Sequence, residues 1–338
     1  MNTHKEKHRV VLKQHDTYKI KIGTQIKNAK LKGSFYNRAN RSSDFPHVGD
    51  WVNISINNDL ILIEEIEKRK TQLSRKTSGV ITEEQVLAAN IDYVIIVLGL
   101  DRKRNYSDRL LERYMVLAWN SGATPIVLLN KADLNDKAEI IQYQLESVAP
   151  GAEFIISSTK DNYGISNIYD KLTGGKTAVF IGPSGVGKST ISNTLLKNQI
   201  QRIGDVRSNN NGGKHTTSSS KMLELENGGF IIDSPGLREI QLWAEEESLD
   251  NVFDEIAITA DQCKYKNCSH QGEPGCAVQN NMNTGYISPE RYDSYLSLKK
   301  ELDFLERRKK EKGWNSERQY DKNVTKYRKS VMQKKVVY

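Results

Sequence analysis

The sequence predicts three folded parts in series: a small all-β barrel, an α/β layer domain with a mostly parallel sheet, and a short metal-stapled helical region. Three observations carry this expectation. Apolar residues alternate with polar ones at strand spacing over the first 70 or so positions. From about residue 80, apolar strands alternate with helix-spaced stripes. All three cysteines lie between 263 and 276, beside a histidine. The divisions fall at 1–72, 73–245 and 246–338.

In the first part, Tyr18, Ile20 and Ile22 alternate with Lys19 and Lys21. Val52, Ile54 and Ile56 alternate after His47-Val48-Gly49-Asp50-Trp51, and Leu60 to Ile63 is a short apolar run. Gly23, Gly33 and Asn57-Asn58 supply turns. Short strands with turn signals suit an OB-type barrel, whose basic, aromatic-bearing strands match single-stranded nucleic acid. The aromatics Tyr18, Phe35, Tyr36, Phe45 and Trp51 are expected mostly in the core.

In the second part, Tyr93 to Leu98 reads as a buried strand. Ser107-Asp108 can cap a helix bearing Leu110, Leu111, Tyr114, Met115 and Ala118. Pro125 to Leu129 is a strand, Glu139 to Leu145 a helix, and Phe154 to Ile156 a strand. Ala178 to Ile181 is a strand followed by a helix over Thr190 to Leu196; Met222 to Leu225 and Phe230 to Ile232 complete the sheet. In the third part, Ser288 can cap a long charged helix with Pro289 at its first position, striped by Tyr295, Leu298, Leu302 and Leu305. Beyond Gly313 the tail is basic and loosely patterned.

Charge is distributed unevenly along the 338 residues, which sum to +8. Residues 1–50 hold 11 basic against 4 acidic side chains and residues 299–338 hold 14 against 6, so the middle is net acidic. Two cationic ends suit a polyanionic partner. No apolar run reaches bilayer-spanning length, and the start Met1-Asn2-Thr3-His4-Lys5 has no signal-peptide core. The expectation is a cytoplasmic protein with no membrane partner.

Gly182-Pro183-Ser184-Gly185-Val186-Gly187-Lys188-Ser189 is a phosphate-binding loop of the G-x-x-x-x-G-K-S type, followed by Thr190. Its glycines let backbone N–H groups approach phosphate oxygens. Lys188 would reach the β- and γ-phosphates, Ser189 would ligate Mg²⁺, and the following helix adds its dipole. Asn130-Lys131-Ala132-Asp133 ends the preceding strand pattern and looks like a guanine reader. The Asp133 carboxylate can accept from guanine N1–H and N2–H₂, a donor pair that adenine lacks. Asn130 can tie this loop to the phosphate loop, the stem of Lys131 can cover the base, and Ser157-Ser158 stands where backbone donors would meet guanine O6. GTPases ordinarily place the phosphate loop upstream of the base reader; here the order is reversed, so the α/β domain reads as circularly permuted.

Asp233-Ser234-Pro235-Gly236 ends the last strand pattern: Asp233 can hold Mg²⁺ through water, and the Gly236 N–H can meet the γ-phosphate. Gly213-Lys214-His215-Thr216-Thr217 precedes it, with Thr216 suited to completing the metal shell. Leu237 stands where Ras-like enzymes carry a water-orienting Gln, which leaves His215 as the candidate for that task. Cys263, Cys268, His270 and Cys276 form C-x4-C-x-H-x5-C, a closed three-thiolate, one-imidazole set of the structural zinc type.

The reversed motif order, Gly-Lys-His-Thr-Thr, Asp-Ser-Pro-Gly-Leu and the cysteine–histidine spacing together resemble the RsgA/YjeQ family of circularly permuted GTPases. His47-Val48-Gly49-Asp50-Trp51-Val52 looks like that family's barrel, and Ala88-Ala89-Asn90-Ile91-Asp92 like its entry to the GTPase domain. The resemblance implies an OB fold, a GTPase domain and a zinc domain in that order. It also implies a monomer that binds the small ribosomal subunit and its rRNA, and GTP hydrolysis to GDP stimulated by that partner. It puts guanine recognition on Asn130, Lys131 and Asp133, phosphate binding on Gly182 through Thr190, one structural zinc on the four ligands above, and a hydrolytic role on His215. Lys214 and Ser218 depart from the family's commoner arginine and threonine. Two other classes stand beside this one: an adenine-using P-loop ATPase or kinase, and a non-catalytic RNA-binding module.

Overall fold

Alternation closes the first part into a barrel. The computed structural model of the chain describes residues 7–14, 17–39, 41–57, 60–77, 83–200, 220–234 and 242–310. Strands β1 (His8–Gln14), β2 (Thr17–Ile22) and β3 (Gln25–Leu31) form an antiparallel meander. Helix α1 (Gly33–Arg38) leads to β4 (Trp51–Asn57) and β5 (Leu60–Ile66). β5 runs parallel to β3 and antiparallel to β4, and β4 returns to β1, giving the ring order 1-2-3-5-4-1 of an OB barrel. Val10, Tyr18, Ile20, Val52, Ile61 and Ile63 fill its interior, and Phe35 of α1 plugs it. Register shifts leave one extra residue in β1 (Val11) and one in β5 (Glu64), and these bulges bend the two strands as the ring closes. Trp51 departs from the core expectation: it is exposed at the surface, under the Arg9 guanidinium.

A hairpin, β6 (Gln72–Lys76) with β7 (Glu84–Ala89), joins the barrel to the α/β domain. The order that follows is β8 (Tyr93–Gly99), α2 (Asp108–Asn120), β9 (Thr124–Asn130), α3 (Ala138–Glu146), β10 (Glu153–Ile156), α4 (Ile165–Lys171), β11 (Thr177–Ile181), α5 (Lys188–Ile200), β12 (Ser220–Glu224) and β13 (Phe230–Asp233). β10, β9, β8, β11 and β13 lie parallel in that spatial order, and β12 is antiparallel to β13. Because β8, β9 and β11 are covered on both faces, they read as unbroken apolar runs rather than alternating ones. α2 and α3 contribute to the core on one face, and α4 and α5 to the core on the other. Ser107 is the N-cap of α2 through its carbonyl, which accepts from Leu110 and Leu111; its hydroxyl makes no capping bond.

Helices α6 (Glu246–Val252), α7 (Asp254–Ala260), α8 (Ala277–Asn283) and α9 (289–310) pack on the α2 side. Ser288 Oγ accepts from Arg291 N–H at 3.1 Å, so the sequence-predicted cap forms. The stripe Tyr295, Leu298, Leu302 and Leu305 is buried. Arg291 donates to Glu112 of α2 and Glu255 of α7, both at 2.6 Å, and lies 4.2 Å over the Phe253 ring. Ser294 completes the shell of the buried Glu112 carboxylate. Among the described residues, no helix is long and apolar enough to cross a membrane.

Two joints fix the barrel to the α/β domain. At the first, β1 pairs antiparallel with β12 (Leu12 with Lys221, Lys13 with Ser220), so the barrel and the α/β sheet form one eleven-stranded ladder. The second is the 47–51 segment. Gly49 has φ +98°, and a Cβ there would lie 2.0 Å from the Ala89 carbonyl oxygen, so only glycine lets the two segments approach this closely. Val48 accepts from Ala89 N–H, and Gly49 accepts from Asn90 Nδ2 and Arg9. The fully buried Asp50 carboxylate takes both arms of Arg69 at 2.8 Å. His47 beside them donates from Nδ1 to the Phe45 carbonyl and accepts at Nε2 from Lys13, the arrangement of a neutral ring.

Burial pushes the His47 imidazole well below its ordinary value, and the charges of Lys13 and Arg69 push the same way. The unfolded chain takes up this proton below a pH of about 6.5 while the folded chain refuses it, so stability is lost as pH falls. Denaturant midpoints measured from pH about 7 to about 5 should fall more steeply for the natural chain than for His47→Gln.

Candidate nucleotide site and metal centre

The carboxyl ends of β8, β9, β10, β11 and β13 lie along one edge of the sheet, and the predicted motif residues gather there. Gly182 to Gly187 bridges β11 and α5, which begins at Lys188. Val186 anchors the loop in the core below. The Lys188 ammonium lies 2.6 Å from the Gly182 carbonyl oxygen and also contacts that of Pro183, so its side chain stays within the loop. Ser184 sits in the loop, and Ser189 and Thr190 in the first turn of α5.

Asn130 is the last residue of β9 and is fully buried. Its Nδ2 donates to the Val186 carbonyl at 2.9 Å, and its Oδ1 accepts from Ser157 Oγ at 3.2 Å. This amide therefore binds the two motifs and the loop after β10 into one assembly. Gly187 makes room for it: a Cβ there, at φ +106°, would lie 2.3 Å from Asn130 Nδ2. Lys131 takes a left-handed backbone (φ +64°) that turns the chain into a 3-10 turn over Ala132–Leu134. The Ala132 N–H donates to the Ser157 carbonyl at 3.0 Å. Asp133 Oδ1 accepts from Ser158 Oγ at 2.9 Å, and Lys160 approaches its other oxygen at 3.9 Å. Ser157 and Ser158 are buried, so their hydroxyls hold the Asn130 amide and the Asp133 carboxylate, respectively, in a fixed geometry.

Asp233 ends β13 one strand away from β11, with its side chain exposed. The next residue, Ser234, is buried, and Ser220 Oγ donates to its hydroxyl at 2.7 Å. His215, Thr216 and Gly236 lie outside the described residues. Motif reading passed over Asp101 and Asp161. Asp101 ion-pairs with Lys131 at 3.0 Å, and Asp161 shares the Ser158 hydroxyl with Asp133. The only signal for either was its place just beyond a strand end on the motif-bearing edge.

Cys263, Cys268, His270 and Cys276 bring four ligand atoms within 4.8 Å of one another. His270 Nδ1 is 3.5 Å from the sulfurs of Cys263 and Cys276, which are 4.0 Å apart. A tetrahedral ion bonded to sulfur at about 2.3 Å and nitrogen at about 2.0 Å sets its ligands about 3.5–3.8 Å apart, so the donor set fits a metal. The surrounding chain orients it. His270 has φ +58°, and its carbonyl accepts from Gln279 Nε2 and Tyr292 Oη. Cys276 caps α8, its sulfur accepting from Gln279 N–H. Glu273 is drawn down to about 2 by hydrogen bonds from Ser269 and the loop backbone, which closes the turn between ligands.

The family model described as RsgA GTPase matches residues 66–243. The chain is 35% identical over 330 residues to "Small ribosomal subunit biogenesis GTPase RsgA 1" of Oceanobacillus iheyensis, covering 97% of this chain and 92% of that one. It is 40% identical over 281 residues to "Small ribosomal subunit biogenesis GTPase RsgA" of Leptospira interrogans, covering 82% and 78%. Among solved structures, YjeQ from Thermotoga maritima aligns with a TM-score of 0.65 and 26% identity, covering 88% of this chain and 98% of that one.

Asn130→Ala should orphan the Val186 carbonyl and the Ser157 hydroxyl together. The expected cost is about 2–4 kcal/mol, read as a lower denaturant midpoint in nucleotide-free protein. A midpoint equal to that of the natural chain would show that the amide does not join the loops.

Proposed function

The chain belongs to the RsgA family of GTPases, and from that premise we infer that it hydrolyses GTP to GDP and phosphate in biogenesis of the small ribosomal subunit. The observation that carries the site is the Asn130–Val186 hydrogen bond, which makes one pocket edge of a base reader and a phosphate loop. An ATPase or kinase reading accounts for the loop but leaves the Ser158-held Asp133 carboxylate without a ligand. A purely RNA-binding reading accounts for neither.

In this reading Asp133 accepts from guanine N1–H and N2–H₂, the stem of Lys131 lies along the purine, and Ser157 and Ser158 frame the base edge. The N–H groups from Gly182 to Thr190 hold the phosphates, and the Lys188 ammonium reaches the β- and γ-oxygens. Ser189 would offer its oxygen to Mg²⁺ and Asp233 would hold the ion through water; the ion, when bound, neutralises phosphate charge. Thr216 and the Gly236 N–H meet the γ-phosphate, and His215 orients water, since the Leu237 side chain has no polar atom to do so. Zinc is the ion that a closed Cys₃His set suits; its task is structural, because all four positions are filled by protein. The barrel (1–72) binds rRNA beside the GTPase domain (73–245), which the zinc-binding domain (246–338) follows. A factor with that task works in the cytoplasm, as a monomer.

Turnover of GTP by the purified chain should rise on titration with isolated small ribosomal subunits, and a flat response overturns the ribosomal assignment. Asp133→Asn should shift preference from guanosine to xanthosine nucleotides, because the amide replaces an acceptor by a donor at the base edge. Unchanged guanine selectivity would remove Asp133 from that role.

A further inference from the structure

Asp101 lies two residues beyond Gly99, the last residue of β8, and β8 ends in register with Asn130 of β9. Its Oδ2 is 3.0 Å from Lys131 Nζ, and its Oδ1 accepts from Asn105 Nδ2 at 3.3 Å. Arg102 approaches the same carboxylate at 3.8 Å, but from a side chain 64% exposed. Burial alone would raise the Asp101 carboxyl; hydrogen bonds from Lys131 and Asn105 outweigh it and hold the group below the usual range. Backbone contacts fix the same loop to the base reader. Leu100 N–H donates to the Asn130 carbonyl at 2.9 Å, and Asn135 Nδ2 donates to the Leu100 carbonyl at 3.0 Å. Gly99 leaves the carboxylate its room, since a Cβ there would lie 2.7 Å from Asp101 Oδ1.

We propose that Asp101 is a positioning residue for base recognition: it anchors the Lys131 ammonium, so that the lysine stem lies ready along the purine face before nucleotide arrives. This rests on the guanine-site reading above. The physical case is one of prepayment. A free lysine stem loses its rotamer freedom when a base stacks on it, whereas a stem already tethered has lost that freedom on folding. The ion pair is partly exposed and adds little stability of its own, so its effect lies in orientation. Lys131 needs this help because its left-handed backbone is set by the turn, which leaves only its head to be held.

The test uses the full chain. Equilibrium binding of fluorescent GDP and of a non-hydrolysable GTP analogue is measured for the natural chain, Asp101→Asn, Asp101→Ala, Asp101→Glu and Lys131→Ala, and for the Asp101→Ala/Lys131→Ala pair. Asp101→Asn and Asp101→Ala should weaken both nucleotides by the same factor, roughly five- to tenfold, with the loss in KM rather than kcat. Asp101→Glu should recover part of it, and inorganic tripolyphosphate, which has no base, should show the same inhibition constant in all of them. Adding Asp101→Ala to Lys131→Ala should cost nothing further. Unchanged affinities in Asp101→Asn, or losses that multiply in the double variant, overturn the proposal. Should Asp101→Ala fail to fold, the isosteric Asp101→Asn carries the test alone. A natural chain with no preference for guanine nucleotides would instead overturn the base-site reading, and the positioning role with it.

Discussion

The hydrogen bond from Asn130 Nδ2 to the Val186 carbonyl joins loops 56 residues apart in the chain, and the rest of the site is arranged around it. It is made in a fully buried position where an unpaired amide or carbonyl is costly, so its geometry is tightly set. Ser157 fixes the other end of the same amide, and Gly187 is bare where a side chain would push it out. The Asn130–Asp133 and Gly182–Ser189 motifs are therefore not two segments that happen to lie near each other. They are the two sides of one buried polar contact.

That contact also explains why chain order is free to vary. The pocket is built from loops at one edge of a parallel sheet, and strand adjacency, not chain order, brings them together. β11, which feeds the phosphate loop, sits between β8 and β13 although β8 and β9 come first in the chain. The chain thus enters the domain beside the barrel and leaves it from β13 toward the helices that carry the cysteine–histidine cluster. The entry is secured where two sequence landmarks meet: Gly49 closes on Ala89, and Asn90 reaches back to Gly49. Segments 47–52 and 88–92, read separately in the sequence, are the two halves of this joint.

Legibility tracked the strength of the local pattern. The strands around Tyr18, Val52, Tyr93, Pro125 and Ala178 were readable because period-two alternation or an unbroken apolar run marked each one. The β6–β7 hairpin was not, since Gln72-Leu73-Ser74-Arg75-Lys76 offers one apolar residue and pairs only with its neighbour. Helices α6, α7 and α8 span seven residues each, too few for a 3.6-residue rhythm to declare itself. The cysteine–histidine cluster and the two loop motifs at 130–133 and 182–189 were visible because the chemistry each suits requires fixed spacing. Asp101 and Asp161 were not, because each gains meaning only when strand ends are set side by side.

The stitch between β1 and β12 has a further consequence. β12 is an interior member of the ladder only while β1 is present, whereas β1 keeps β2 and β4 as neighbours and owes β12 only its Leu12–Lys13 pairing. Cutting the chain after the barrel would turn β12 into a raw border of unpaired amides and carbonyls on the α/β half, and would bare the Leu12–Lys13 stretch of β1 on the other. Fragments prepared separately would thus carry sticky margins that the intact molecule hides. Sound domain dissection of this protein calls for keeping β1 with the sheet it borders, or for capping the cut edge with charge.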